Sequence, residues 1–141
     1  MHTDLSTAEY VELHDARVLR VAFGVGMSEI SLEGIGAYFR SDATGYEIWA
    51  FAGVLLCDGL TSSDVRQVAP LLVAADERIS SADFFDEGGT ELQRLDAMTI
   101  ERARRVVIIT SSATKLHLTA ARIGFAHVQP QGFLERVERI T

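Results

Sequence analysis

The sequence has few of the residues that staple or interrupt a chain: one cysteine (Cys57) and two prolines (Pro70 and Pro130) in 141 residues. One thiol cannot form an intrachain disulfide, so the fold has to be held by an apolar core, which a chain of this length can supply as one ordinary domain. Basic character is also short, with a formal charge of −7. This argues against nonspecific binding to nucleic acid or to an anionic membrane, since both select basic surfaces. The longest apolar run, residues 45–58, falls short of the roughly 20 residues that a membrane-crossing helix needs. Residues 1–10 have neither the basic start nor the apolar stretch of a secretory signal, so the expected compartment is the cytosol. Repeats, low-complexity segments and linkers are absent as well.

Familiar chemical signatures are equally scarce. His117 and His127 stand ten residues apart, and no His or Cys pair has zinc-ligand spacing, so no metal and no cofactor is expected. Gly24-Val25-Gly26 and Gly34-Ile35-Gly36 do not continue into a phosphate loop. His14-Asp15 would supply a base and an orienting acid, but neighbours on a strand point to opposite faces, which favours reading the pair as a turn that opens a strand. Cys57 ends an apolar run with no base nearby, which favours a structural thiol over a nucleophile. Catalysis is therefore not expected.

What is present is alternation. In residues 45–58, GYEIWAFAGVLLCD, Trp49, Phe51, Leu55 and Cys57 share one parity while Ile48, Ala50, Ala52, Val54 and Leu56 share the other. The spacing predicts a central strand covered on both faces, bounded by turn signals at Thr44-Gly45 and Asp58-Gly59. Residues 17–23 alternate like a half-buried strand that ends at Gly24-Val25-Gly26. In the next segment Ile30 and Leu32 lie on one parity and Ile35, Ala37 and Phe39 on the other, which predicts a β-bulge at Gly34 or Gly36. These three strands, joined by short polar turns, form an antiparallel meander.

Beyond residue 60 the pattern is less regular. A short helix is expected near residues 62–69 and a strand at 71–74. A further strand over 79–85 can hold only one of Phe84 and Phe85 inside. Residues 91–105, rich in helix formers, read as a helix with Leu92, Leu95 and Met98 on one face, while Leu95 and Ala97, or Met98 and Ile100, would alternate in a strand, so helix and strand both stay open there. Residues 106–110 and 115–128 form a second hairpin, with Leu116, Leu118 and Ala120 inward and His117 outward. Pro130–Gly132 turns the chain into a last apolar segment, and residues 1–9 are a loose lead-in. The expected fold is mainly β, with α+β possible: a curved antiparallel sheet or sandwich of meander hairpins carrying one or two helices.

Charge is unevenly distributed. Eight acids fall between Asp76 and Glu101, against Arg78 and Arg94; five bases and no acid lie from Arg102 to Arg122. Asp83, Phe84, Phe85, Asp86, Glu87 and Glu91 surround an aromatic pair with carboxylates. That combination suits docking to a basic protein, because charge steers encounter and a buried ring supplies the anchor. A solvated turn with one core Phe is the plainer reading. Arg104, Arg105 and Lys115 form a rival set able to meet an anionic ligand in a pocket between the central strand and residues 91–105.

Two resemblances bear on these candidates. The series of short alternating strands, opening at Glu12-Leu13-His14-Asp15-Ala16 and closing at Gly132-Phe133-Leu134-Glu135-Arg136, resembles small bacterial all-β proteins, some of them toxin-immunity proteins. This likeness implies a non-catalytic domain that occludes a basic toxin. The stretch ERARRVVIITSSATK is similar to the helix–strand–Ser–Lys passage of sugar-phosphate sensor domains in DeoR-type repressors. It implies a small-molecule sensor or degenerate enzyme, although the first half of the chain lacks that family's phosphate loop.

Overall fold

A computed structural model describes residues 4–60, 77–112 and 115–138. The helix and strand expected at 62–69 and 71–74 lie outside the described residues. The chain is mainly β: among the described residues, eight strands make one open antiparallel sheet, with one short helix and a 3-10 turn. The strands are β1 (Tyr10–Glu12), β2 (Arg17–Gly24), β3 (Met27–Arg40), β4 (Gly45–Asp58), β5 (Glu77–Phe85), β6 (Arg105–Thr110), β7 (Lys115–Thr119) and β8 (Arg122–Glu138). Their order is β7-β6-β5-β2-β3-β4-β8, with β1 added to β3.

The expected meander is β2–β3–β4, and β4 occupies the run that the alternation marks. The chain then returns to place β5 beside β2, so β5-β2-β3-β4 is a Greek key. Strands β7 and β8 stand at opposite ends of the order, yet only Ala120 and Ala121 join them. Three Cα steps span at most about 11 Å, so the sheet curls until its two edges meet at this link. The link is pinned from both sides, by Ala121 N–H donating to Asp58 O and Ala120 N–H to Arg104 O, each at 2.8 Å. Gly59 makes the approach possible. Its φ is +77°, and a Cβ there would lie 2.6 Å from that of Ala121.

Cross-strand neighbours share a face, so the register defines the interior. Phe51, Leu55 and Cys57 of β4 face inward with Ile35, Ile30 and Ser28 of β3, all fully buried. The opposite face of β4, with Ala52, Val54 and Leu56, is half-buried. The bulge falls at Gly34, with φ +73°: Leu32 pairs with Gly53 and Ile35 with Phe51, so Glu33 and Gly34 together oppose Ala52. Strand β8 shifts register beside the same stretch of β4, and the side chain of its extra residue Gln131 accepts the Gly34 N–H at 2.8 Å. Bulges that line up across three strands bend a sheet. Here they divide it into a curled half that encloses most of the core and an arm made from the outer ends of β3, β4 and β8, whose inner face carries the core residues Ala37 and Phe39.

Several sequence expectations are corrected. Residues 91–105 are helical only at α1 (Ala97–Glu101), capped by Asp96, whose carboxylate accepts the Thr99 N–H at 2.7 Å. Leu92 and Leu95 pack on the core from extended chain, because Leu92 N–H donates to Phe84 O and Leu95 O accepts from Val11 N–H. Met98 is 75% exposed. Pro130–Gly132 is no turn, since β8 runs straight through it; β8 is an edge strand, where the missing proline N–H costs no ladder bond. The alternation of 115–128 is broken by the Ala120-Ala121 link, so the second hairpin is β6–β7 alone. Part of the lead-in is ordered: Leu5–Thr7 is a 3-10 turn capped by Asp4, with Leu5 in the core.

Candidate functional site

The acidic stretch is assembled from three kinds of local structure. Asp83 lies on β5 opposite Val107, on the outer face of the sheet. Phe84 is fully buried and Phe85 is the outer member of the pair, as the parity requires; the Arg105 guanidinium stands over the Phe85 ring, 4.3 Å from its centroid. Asp86 closes the turn, its carboxylate accepting the Thr90 N–H at 2.9 Å while its own N–H donates to Thr90 O. Glu87 and Glu91 are exposed, Glu91 forming an isolated bridge to Phe85. The turn therefore presents carboxylates to solvent, while Phe84 is buried and Phe85 is covered by Arg105.

The rival basic set is only partly brought together. Arg104 and Arg105 line a groove of about 510 Å³ with Asp86, Glu87 and Thr119, so part of each candidate set meets in one place. Arg104 also lines a neighbouring groove of about 440 Å³ with Leu56, Asp58, Glu101 and Arg122, between the end of β4 and α1, where Arg122 pairs with Asp58 at 3.1 Å. Lys115 opens β7 opposite Ile109, whereas Arg105 pairs with Thr119 at the far end of that strand. Four residues of strand separate them, roughly 13 Å. The three cations do not form one cluster.

His14 and Asp15 do approach each other, with Nε2 to Oδ2 at 3.5 Å, contrary to the strand argument. Asp15 has φ +66°, so the pair sits in a turn and the alternation rule does not apply. Both side chains are exposed, and His14 Nδ1 lies 2.8 Å from Ser80 O. Cys57 is buried in the core. Among the described residues, no group of His, Cys, Asp and Glu could hold a metal ion.

The sequence reading missed a third groove, of about 440 Å³, on the outer face of the arm. It contains every tyrosine of the chain, Tyr10, Tyr38 and Tyr46, with Glu9, Arg94, Val137 and Glu138. The register builds it: Tyr10 pairs with Tyr38 across β1–β3, Tyr46 lies diagonally across β3–β4, and Val137 pairs with Tyr46 across β4–β8. The rings meet edge to face, with centroids 5.2 and 6.4 Å apart. Tyr38 donates to Glu12 Oε2 at 2.7 Å. Burial first, and then the bond to Glu12 and its charge, hold this phenol above the usual tyrosine range. Arg40 donates twice to Glu9, at 2.9 and 3.1 Å, and stands 5.5 Å from the Tyr46 centroid. Those bonds hold the Glu9 carboxyl below its usual range. Tyr38 and Tyr46, on the same parity either side of the turn at 41–44, were the available signal, but Tyr10 joins them only through tertiary pairing.

The other face of the arm carries Trp49 and Phe133, paired across β4–β8 with ring centroids 5.8 Å apart. Phe133 is 52% exposed, its neighbour Leu134 is 59% exposed, and Val137 is exposed on the tyrosine side. No family model matches this chain, and no curated protein or solved structure matches it. No helix among the described residues is long and apolar enough to cross a membrane.

Proposed function

We propose that this chain is a non-catalytic, cytosolic protein-binding domain that docks a basic partner on the arm of its sheet. The observation that carries the reading is the outer half of β8, an edge strand on which Phe133 and Leu134 stand exposed. Edge strands are ordinarily guarded against pairing, and large apolar groups beside an unpaired edge are the usual material of a docking surface. Glu135 and Glu138 on the same strand, with the net charge of −7, favour a basic partner. Asp83, Glu87 and Glu91 add steering charge in this reading, while the anchor moves from the Phe84–Phe85 pair to β8. A basic toxin, occluded by this chain acting as an immunity protein, is the partner class that this reading favours.

A sugar-phosphate sensor draws less support. Asp86 and Glu87 offset Arg104 and Arg105 in their shared groove, and Lys115 lies too far along β7 to help. The test is capture from host lysate by the intact chain and by the double variant Phe133→Ser, Leu134→Asp. The wild type should retain one basic protein that is released as salt rises, and the variant, still folded by circular dichroism, should retain none. Equal retention by both proteins, or no retention by the wild type, overturns the reading.

A further inference from the structure

The tyrosine groove has a chemistry of its own. We propose that it is a subsite for one cationic side chain, arginine or lysine, presented by a protein partner. This deepens the docking reading and rests on it only for the molecule that carries the cation.

Aromatic faces attract cations, most strongly where carboxylates stand nearby and the ring is partly desolvated. Both conditions hold here. Glu9 and Glu138 line the groove, Glu12 accepts from Tyr38, and Glu135 lies close enough to raise the Tyr38 pKa through its charge. Against these four carboxylates stand the guanidiniums of Arg40 and Arg94, and that of Arg136, which lies 4.0 Å from Glu138 but also pairs with a fifth carboxylate, Asp42. The groove thus keeps an excess of negative charge around its rings.

The fold already contains one example of the interaction. Arg40 stacks on Tyr46 while donating twice to Glu9, which is ring-and-carboxylate recognition of a guanidinium within one chain. Tyr10 and Tyr38 continue the same aromatic stripe beside Glu12, and Val137 offers an apolar wall for the methylene stem of an incoming side chain. A neutral apolar ligand would leave the surplus carboxylates without a counter-charge, and an anion would be repelled by them.

The test titrates the isotopically labelled intact chain with acetyl-triarginine amide and, separately, with the uncharged citrulline counterpart, following backbone amides by NMR. The arginine peptide should give saturable shifts centred on Tyr10, Tyr38, Tyr46 and Val137, and the citrulline peptide should give none. Tyr10→Leu should weaken binding about tenfold while Tyr10→Phe, which keeps a ring face, stays within about threefold. The Phe variant and the citrulline control keep the test decisive if the Leu variant unfolds. Shifts that are absent, that centre on Asp83 to Glu91, or that citrulline reproduces overturn the proposal. Such a failure would leave β8-dependent capture untouched, and loss of that capture would leave the peptide shifts untouched, so the two readings fail separately.

Discussion

Two halves of one strand teach the most about this molecule. From Phe51 to Cys57, β4 lines a closed core in which every inward residue is fully buried; from Gly45 to Ala50, the same strand belongs to an arm, where Ile48 and Ala50 are buried and Tyr46, Glu47 and Trp49 are half-buried. The curled half is closed by the Ala120-Ala121 link and by β5–β7, whereas the arm buries Val11, Ala37 and Phe39 on its inner face but, among the described residues, leaves Phe133 and Leu134 of β8 exposed. Apolar residues that meet a second layer build stability. The same residues without one become a surface available to partners.

The widest contrast between the halves should be in stability. Phe51→Ala and Phe84→Ala, in the closed half, should each cost about 3–5 kcal/mol in denaturant unfolding, the usual range for emptying a buried aromatic site. Phe133→Ala, on the arm, should cost about 1 kcal/mol or less, because half of its ring is already in water. Equal losses at the two sites would mean that the arm is a buried element. A smaller effect is expected at the closure itself. Gly59→Ala should cost about 1–3 kcal/mol, since it forces a left-handed φ onto a residue with a Cβ and drives that carbon toward Ala121. The loss should appear as faster hydrogen exchange at Ala121 and around the start of β8, and unchanged exchange there would show that the link does not hold the curl.

The smallest effect is on pH dependence. Glu77 Oε2 accepts from the Ser112 N–H and the Ser111 hydroxyl, both at 3.1 Å, tying the start of β5 to the β6–β7 turn. The backbone bond from Ser112 is the largest cause of its lowered pKa. A carboxyl whose folded pKa lies below its unfolded value of 4.5 adds stability above that pH and loses it as pH falls through the folded value. Glu9, lowered chiefly by its bonds from Arg40, behaves in the same direction on the arm. Melting temperature should therefore fall on acidification below about pH 4.5, and Glu77→Gln should flatten that fall. A variant curve parallel to the wild type would show that Glu77 does not tie the turn.

Legibility in the sequence follows the range of the interactions concerned. The bounds of β4, a bulge at one of Gly34 and Gly36 and the burial of only one phenylalanine at 84–85 were all readable, because a two-residue period and turn residues act within a few positions. Residues 91–105 misled because helix propensity is weak beside the long-range bonds from Leu92 to Phe84 and from Val11 to Leu95. Pro130 misled because proline breaks an inner strand but not an edge one, and edge position is a property of the assembled sheet. At the candidate sites, the carboxylates and arginines were visible as composition. That Phe85 lies beneath Arg105, that Lys115 stands apart, and that three tyrosines converge could not be seen in the chain order.

The sequence by itself determined a disulfide-free, mainly β chain, the strands of its central meander and the core residues that β3 and β4 contribute, because alternation and turn chemistry are local. Only the tertiary structure decided that β7 and β8 meet, that the bulges align to divide core from arm, and that tyrosines from β1, β3 and β4 share one groove. Those outcomes depend on pairing between residues up to 97 positions apart, as at Gly34 and Gln131, and such pairing is set by the closure of the whole sheet rather than by any one segment.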